Sequence, residues 1–311
     1  MPSIHNPSGA LPARFRRQRV LIVGCGDVGQ RVAGAMAHQR IQLMALTSSP
    51  ERVAALRALG VKPIVGDLDI PASLRRLAGL ATRVLHLAPP ARVAGDGAAS
   101  RRDMRTTALV RALRLRSLPS ALVYGSTSGV YGDCGGARIS EARAVRPATA
   151  RALRRVDAER AVRWLGRAGV RASILRIPGI YAPDRPGGTP RARLERGTPV
   201  LRAEDDVYTN HIHADDLARA CVAALWRGRA QRVVHASDDS ELRMAEYFDF
   251  AADLYGLPRP PRIAREDAQR QLPLELQSFM AESRRLDNTR LKRELRLALR
   301  YPTVAQGLRE I

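Results

Sequence analysis

The chain has 311 residues, 45% of them hydrophobic and 26% charged, and a formal charge of +22 at neutral pH. That length holds one large core with a smaller lobe, because single cores stop growing at about 250 to 300 residues. No apolar run approaches the roughly 20 residues of a membrane-spanning helix, which excludes that class of protein.

The charge raises the question of nucleic acid, since clustered basic residues displace counterions from phosphates. All basic residues except Lys62 and Lys292 are arginines, however, and they are spread along the chain. Aromatic content of 4% leaves few rings for stacking bases. Solvated arginine faces account for the charge as well as a ligand would, so nucleic-acid association stays a lesser alternative. Cys25, Cys134 and Cys221 form no CxxC pair, so neither a zinc site nor a redox pair is expected, and free thiols fit a cytoplasmic protein. Residues 1–18 combine prolines with a basic run from Arg14 to Arg19 and lack a signal-peptide core. They read as a disordered basic arm.

From Val20 onward, short apolar runs alternate with amphipathic stretches, the pattern of strands joined by crossover helices. Strands are expected at 20–23, 41–46, 61–65, 84–87, 121–124, 172–177 and 232–235. Helices are expected at 27–38, 50–59, 71–77, 101–116, 149–167, 214–226, 241–255 and 289–299. The fold class is therefore α/β, a Rossmann-type doubly wound parallel sheet with a smaller C-terminal substrate lobe. Residues 19–182 form the dinucleotide-binding domain. Residues 183–311 form mainly the lobe, with about 205–240 returning to the core.

The first motif is Gly24-Cys25-Gly26-Asp27-Val28-Gly29, between a strand and a helix. Glycines there permit the tight turn and let a pyrophosphate approach backbone N–H groups at the positive end of the helix. The second strand ends in Thr47-Ser48-Ser49-Pro50-Glu51-Arg52. An acidic residue at that place would hold the ribose hydroxyls of NAD; hydroxyls and Arg52 favour the 2′-phosphate of NADP. The same residues also fit a helix start, with Ser49 as cap and Pro50 in the first turn.

The run from Val123 to Asp133, VYGSTSGVYGD, resembles the segment after the fifth strand of the extended short-chain dehydrogenases/reductases, the NAD-dependent epimerase/dehydratase family. Three later segments agree with it: Leu175 to Tyr181, Asn210 to Asp216, and Asn288 to Leu295 with Tyr301-Pro302. The resemblance runs from about residue 19 to about 308. It implies that Asp67 and Leu68 flank the adenine, that Leu87, Ala88 and Pro89 lie against the cofactor, and that Pro178 borders the nicotinamide. Thr127 falls at the position of the family's catalytic Ser/Thr.

The family's catalytic tyrosine and lysine, four residues apart on one helical face, are replaced by Arg151 and Arg155. Arg155 can still donate to the nicotinamide ribose. Arg151 cannot replace a tyrosine, because a guanidinium stays protonated and accepts no hydrogen bond. The chain thus resembles an atypical subgroup of the family, and three readings stay open. Tyr131 supplies the proton, helped by Thr127; Arg151 clamps an anionic substrate such as a carboxylate or phosphate; or the protein binds NADP without turnover, as a sensor or scaffold. His86 reads as a core histidine. His211 and His213, before Asp215 and Asp216, read as a strand and a helix start, and no metal site is expected. The expected partner is a small-molecule substrate. Pairing of relatives through the helices at 101–116 and 149–167 implies a homodimer, against which the arginine charge would work.

Overall fold

The computed structural model describes residues 18–91 and 101–309. The predicted basic arm lies outside the described residues except for Gln18, which opens the first strand. In chain order the first half comprises β1 (Gln18–Val23), α1 (Asp27–Met36), β2 (Ile41–Thr47), α2 (Val53–Ala58), β3 (Lys62–Val65), β4 (Arg83–His86), α3 (Met104–Leu113), β5 (Ala121–Thr127), β6 (Arg138–Ile139), α4 (Ala150–Gly166) and β7 (Arg171–Ile177). There follow β8 (Gly179–Tyr181), α5 (Arg191–Glu195), β9 (Val200–Leu201), β10 (Tyr208–Thr209), β11 (His211–His213), α6 (Ala214–Arg227) and β12 (Arg232–His235). The chain ends with β13 (Leu242–Arg243), α7 (Met244–Tyr255), β14 (Arg262–Ile263), α8 (Arg265–Gln271), α9 (Leu274–Met280), β15 (Arg285–Leu286), α10 (Thr289–Arg293) and α11 (Val304–Gly307).

Seven strands form one parallel sheet in the order β12-β7-β5-β4-β1-β2-β3. Successive residues of β1 face opposite layers: Val20 and Ile22 join a core with α1 and α6, while Leu21 and Val23 join one with α3 and α4. Burial on both faces explains why this strand reads as a continuous apolar run. The strand order reverses between β1 and β4, where open α/β sheets bind ligands beyond the carboxyl ends of the strands. A separate cluster around Tyr247, Phe248, Val200 and Leu201 forms the core of the later segments. Among the described residues, no helix is long and apolar enough to cross a membrane.

Several expected boundaries move. The 50–59 helix starts as a 3-10 turn at Pro50–Arg52, and Pro71–Leu77 is 3-10 throughout. The 289–299 helix stops at Arg293, and Arg296 takes a positive φ of 52°. Leu291 and Leu295 share helical spacing, yet the chain turns away and buries Leu295 and Leu297 against the α6 face of the core. The shift in β5 matters most for function: it runs three residues beyond its expected end and carries Thr127 to the rim of the sheet.

Candidate functional site

The three glycines after β1 do different physical work. Gly24 has φ +92°, and a Cβ there would lie 2.3 Å from the Ala88 nitrogen, so only glycine allows the turn to pack on the end of β4. The Leu87 and Ala88 N–H groups both donate to the Val23 carbonyl, which fixes that contact. At Gly29 a Cβ would meet the Gly24 carbonyl oxygen at 2.9 Å, so its absence lets α1 pack against the turn. A Cβ on Gly26 would meet nothing within 4 Å. Gly26 is also the N-cap of α1 and provides no side-chain cap, which leaves the start of the helix open to an anion. Asp27 and Val28 form the first turn, with the Asp27 carboxylate drawn aside to Arg31 and Arg185.

Arg52 reaches back from the end of β2 and donates from Nη2 to the Cys25 carbonyl at 2.6 Å. A cation therefore sits beside the glycine-rich turn, on the side where β2 ends. Thr47 is buried, and its hydroxyl exchanges hydrogen bonds with the Ser49 backbone at 3.2 Å, a turn-forming role; Ser48 is exposed. Gly66 N–H donates to the Thr47 carbonyl, so Asp67 and Leu68 follow directly beside β2. The Asp67 carboxylate accepts from the Asp69 N–H at 2.9 Å, as in a turn.

At the other half of the cleft, Leu87, Gly125 and Ile177 converge: a Cβ on Gly125 would meet Leu87 Cδ2 at 2.9 Å and Ile177 Cδ1 at 3.2 Å. Pro178 follows Ile177 and is half-buried. Arg155 donates to the Gly125 carbonyl at 2.7 Å and to the Tyr124 hydroxyl at 3.1 Å. Thr127 is half-buried at the strand end, and its hydroxyl accepts from Gly129 N–H at 3.3 Å. Arg151 is exposed one turn before Arg155, its guanidinium 5.2 Å from the Phe279 ring.

Tyr131 corrects an expectation. It is 1% exposed, its hydroxyl lies 2.5 Å from His235 Nε2, and the Arg176 guanidinium covers its ring at 4.7 Å. Burial pushes its hydroxyl above the ordinary tyrosine range. A phenol engaged with a buried imidazole is not placed to exchange a proton with a ligand in the cleft. The same network continues through Glu159, which accepts from Ser126 and twice from Arg176, so the glutamate in the middle of α4 is structural. His86 is a core residue, as expected: it bonds the Thr106 hydroxyl at 2.8 Å, and burial pulls it down to about 3. His213 caps α6 by accepting from Asp215 N–H. No cluster of potential metal ligands occurs among the described residues.

Two groups near the cleft went unnoticed in the sequence. Arg105 of α3 grips the Asp69 carboxylate and reaches the Pro89 carbonyl at 3.3 Å, joining the loops after β3 and β4. Arg31 binds Asp27, Asp184 and Asp215 together and so ties α1 to the segment after β8 and to α6. The contacts that join separate segments carry no local signal: Arg105 pairs with Asp69 and Pro89, and Arg31 reaches beyond its helical neighbour Asp27 to Asp184 and Asp215.

An open, cation-flanked glycine turn at the switch point of a parallel sheet defines a nucleotide-binding α/β protein. The sequence profile of the NAD dependent epimerase/dehydratase family matches residues 20–236, and the chain belongs to that family. Its cofactor class is accordingly a nicotinamide dinucleotide. Comparison with curated proteins gave no match. Among solved structures, a functionally unknown conserved protein from Silicibacter pomeroyi is 26% identical, with TM-score 0.72, covering 93% of this chain and 96% of that one. A UDP-glucose 4-epimerase from Thermotoga maritima, solved with UDP-glucose, is 18% identical with TM-score 0.75 over 94% and 96%. A UDP-glucuronic acid 4-epimerase from Bacillus cereus, solved with NAD, is 17% identical with TM-score 0.72 over 94% and 96%. At those identities the last two establish the fold.

Proposed function

We infer that the chain is an NADP-dependent oxidoreductase or epimerase-like enzyme acting on a small anionic substrate, in a cleft between the strand ends and residues 183–309. The observation that carries the cofactor preference is the Arg52 guanidinium held on the Cys25 carbonyl beside a Gly26 with nothing in front of it. A cation there favours the 2′-phosphate, and Thr47 to Ser49 directly at the end of β2 carry no carboxylate, Glu51 standing exposed in the 3-10 turn that follows.

Bound there, the dinucleotide supplies hydride exchange at its nicotinamide ring. The chain's own residues then divide the work. Gly24, Gly26 and Gly29 with the first turn of α1, Asp27 and Val28, hold the pyrophosphate. Thr47, Ser48 and Arg52 take the adenosine ribose and its phosphate. Asp67 and Leu68 flank the adenine, and Leu87, Ala88, Pro89 and Pro178 line the path to the nicotinamide. Arg155 orients the neighbouring ribose, Thr127 holds the reacting oxygen of the substrate, and Arg151 beside Phe279 takes its anionic group. Residues 19–182 with 205–240 make up the cofactor domain, and the remainder makes up the substrate lobe. A cytoplasmic location suits the three free, buried cysteines. Exposed Met104, Leu115 and Trp164 on and next to α3 and α4 support pairing of two copies.

The second reading, NADP binding without turnover, is favoured by the sealed Tyr131 and by Arg151 at the tyrosine position. Fluorescence and thermal-shift titrations with NADPH and NADH, followed by turnover assays with UDP-glucose and UDP-glucuronic acid, separate the two. Saturable NADPH binding that is lost in Gly26→Trp supports the cofactor site, and turnover of any probe removes the silent reading. Binding of neither dinucleotide refutes both and brings the arginine surface and nucleic acid forward.

A further inference from the structure

With Tyr131 sealed and Arg151 unable to accept a proton, Thr127 has no acid–base partner on α4. The carboxylate of Glu282 stands nearby. A methyl group on Gly129 would lie 3.7 Å from Thr127 Oγ1 and 3.9 Å from Glu282 Oε2, so the hydroxyl and the carboxylate border the same gap, left open by the bare glycine. Glu282 is held there. Its Oε2 accepts from Arg284 Nη1 at 2.8 Å, and that nitrogen also donates to the Gly132 carbonyl at 2.7 Å. The two side chains are only 12% and 10% exposed.

The backbone around Glu282 is equally fixed. Ser283 N–H donates to Asp133 Oδ1 at 2.8 Å, and the Ser283 carbonyl accepts from Cys134 and Gly136, both at 3.0 Å. Just beyond Arg284, Arg285 and Leu286 pair with Arg138 and Ile139 as neighbouring parallel strands. A carboxylate positioned by strand pairing and by a guanidinium has the preorganisation that proton transfer needs.

The geometry points to Glu282 as the proton acceptor and donor of this site, opposite Thr127, in place of the missing tyrosine. In the oxidising direction the substrate's C–H bond breaks as hydride passes to the oxidised nicotinamide. The O–H proton passes to the Glu282 carboxylate, and the carbon–oxygen bond becomes double. The return step reverses each transfer. This inference rests on the cofactor reading above.

The test uses the full chain and two probes, NADP+ and NADPH, titrated by calorimetry. A carboxylate at this gap would favour the oxidised, cationic ring of a bound dinucleotide over the reduced, neutral one. Glu282→Gln is expected to move the NADP+/NADPH affinity ratio about three- to tenfold toward NADPH. Glu282→Asp, which keeps the charge, is expected to leave it unchanged. If Glu282→Gln does not fold, Glu282→Gln combined with Arg284→Met removes the whole pair; the expected shift is then about twofold in the same direction, since Arg284 reaches away to Gly132. Unchanged ratios in the Gln variants, with both probes bound, overturn the role of Glu282 and leave the cofactor site standing. Failure of the wild-type chain to bind either probe overturns the cofactor reading, and this assignment with it.

Discussion

The Arg52 guanidinium donates to the Cys25 carbonyl across 2.6 Å, tying the end of β2 to the glycine-rich turn after β1. Hydrogen bonds that involve a charged group contribute about 1.5 to 3 kcal/mol. Arg52→Ala is therefore expected to weaken NADPH binding at least tenfold and NADH binding less than threefold, read from fluorescence titrations. Equal losses for both would assign Arg52 to the turn alone.

Arg155 makes the opposite pattern. Its Nη1 donates to the Gly125 carbonyl on β5, which β4 and β1 separate from the β2 side where Arg52 lies. Arg155→Ala is expected to lower NADH and NADPH affinity by a similar factor, about three- to tenfold, and Arg155→Lys to recover part of it. A loss confined to NADPH would contradict this placement.

Two neighbouring glycines separate folding from binding. A side chain at Gly24 would collide with Ala88 in a backbone conformation strained for any other residue, so Gly24→Ala should cost about 3 kcal/mol or more in urea unfolding. Gly26→Ala enters open space and should leave the unfolding midpoint nearly unchanged while it lowers dinucleotide affinity. If both variants unfold early, Gly26 is structural and the cleft is closed to a ligand.

Glu159 and Arg176 form a pair with side chains 5% and 4% exposed. Glu159→Gln leaves the guanidinium uncompensated in the core, at a cost of about 3 to 5 kcal/mol in chemical unfolding. A loss below 1 kcal/mol would mean that the pair is effectively solvated.

Burial holds His86 at about 3 and His211 and His235 at about 4, against 6.5 for the free side chain. Their folded values lie below the unfolded value, so the stability they give is complete above pH 6.5 and is lost as pH falls toward 4. By pH 5 each costs roughly 2 kcal/mol. Asp238 works the other way, since burial raises its carboxyl well above the ordinary range, and it reduces the net fall. His235→Gln should take roughly 2 kcal/mol off the difference between urea unfolding at pH 7.5 and pH 5. An unchanged difference would mean that His235 is protonated in the fold.

The sequence by itself determined the parallel sheet and the glycine turn, because these rest on short-range patterns. Continuous apolar runs such as Val20 to Val23 belong to strands buried on both faces, and a glycine triplet between strand and helix has few physical uses. Local spacing misled at two places. Leu291, Leu295 and Leu299 repeat as in a helix, but the helix stops at Arg293 and the backbone turns at Arg296, since packing against α6 accepts the same leucines from a turned backbone. Tyr131 sits next to the predicted nicotinamide in sequence, yet which way its ring points was decided by His235, 104 residues away. Only the tertiary structure set Arg52 on the Cys25 carbonyl, Arg105 between two loops, and Glu282 across the gap from Thr127. Each of these contacts joins groups that no periodicity relates, and the packing of the sheet and its later segments brings them within reach.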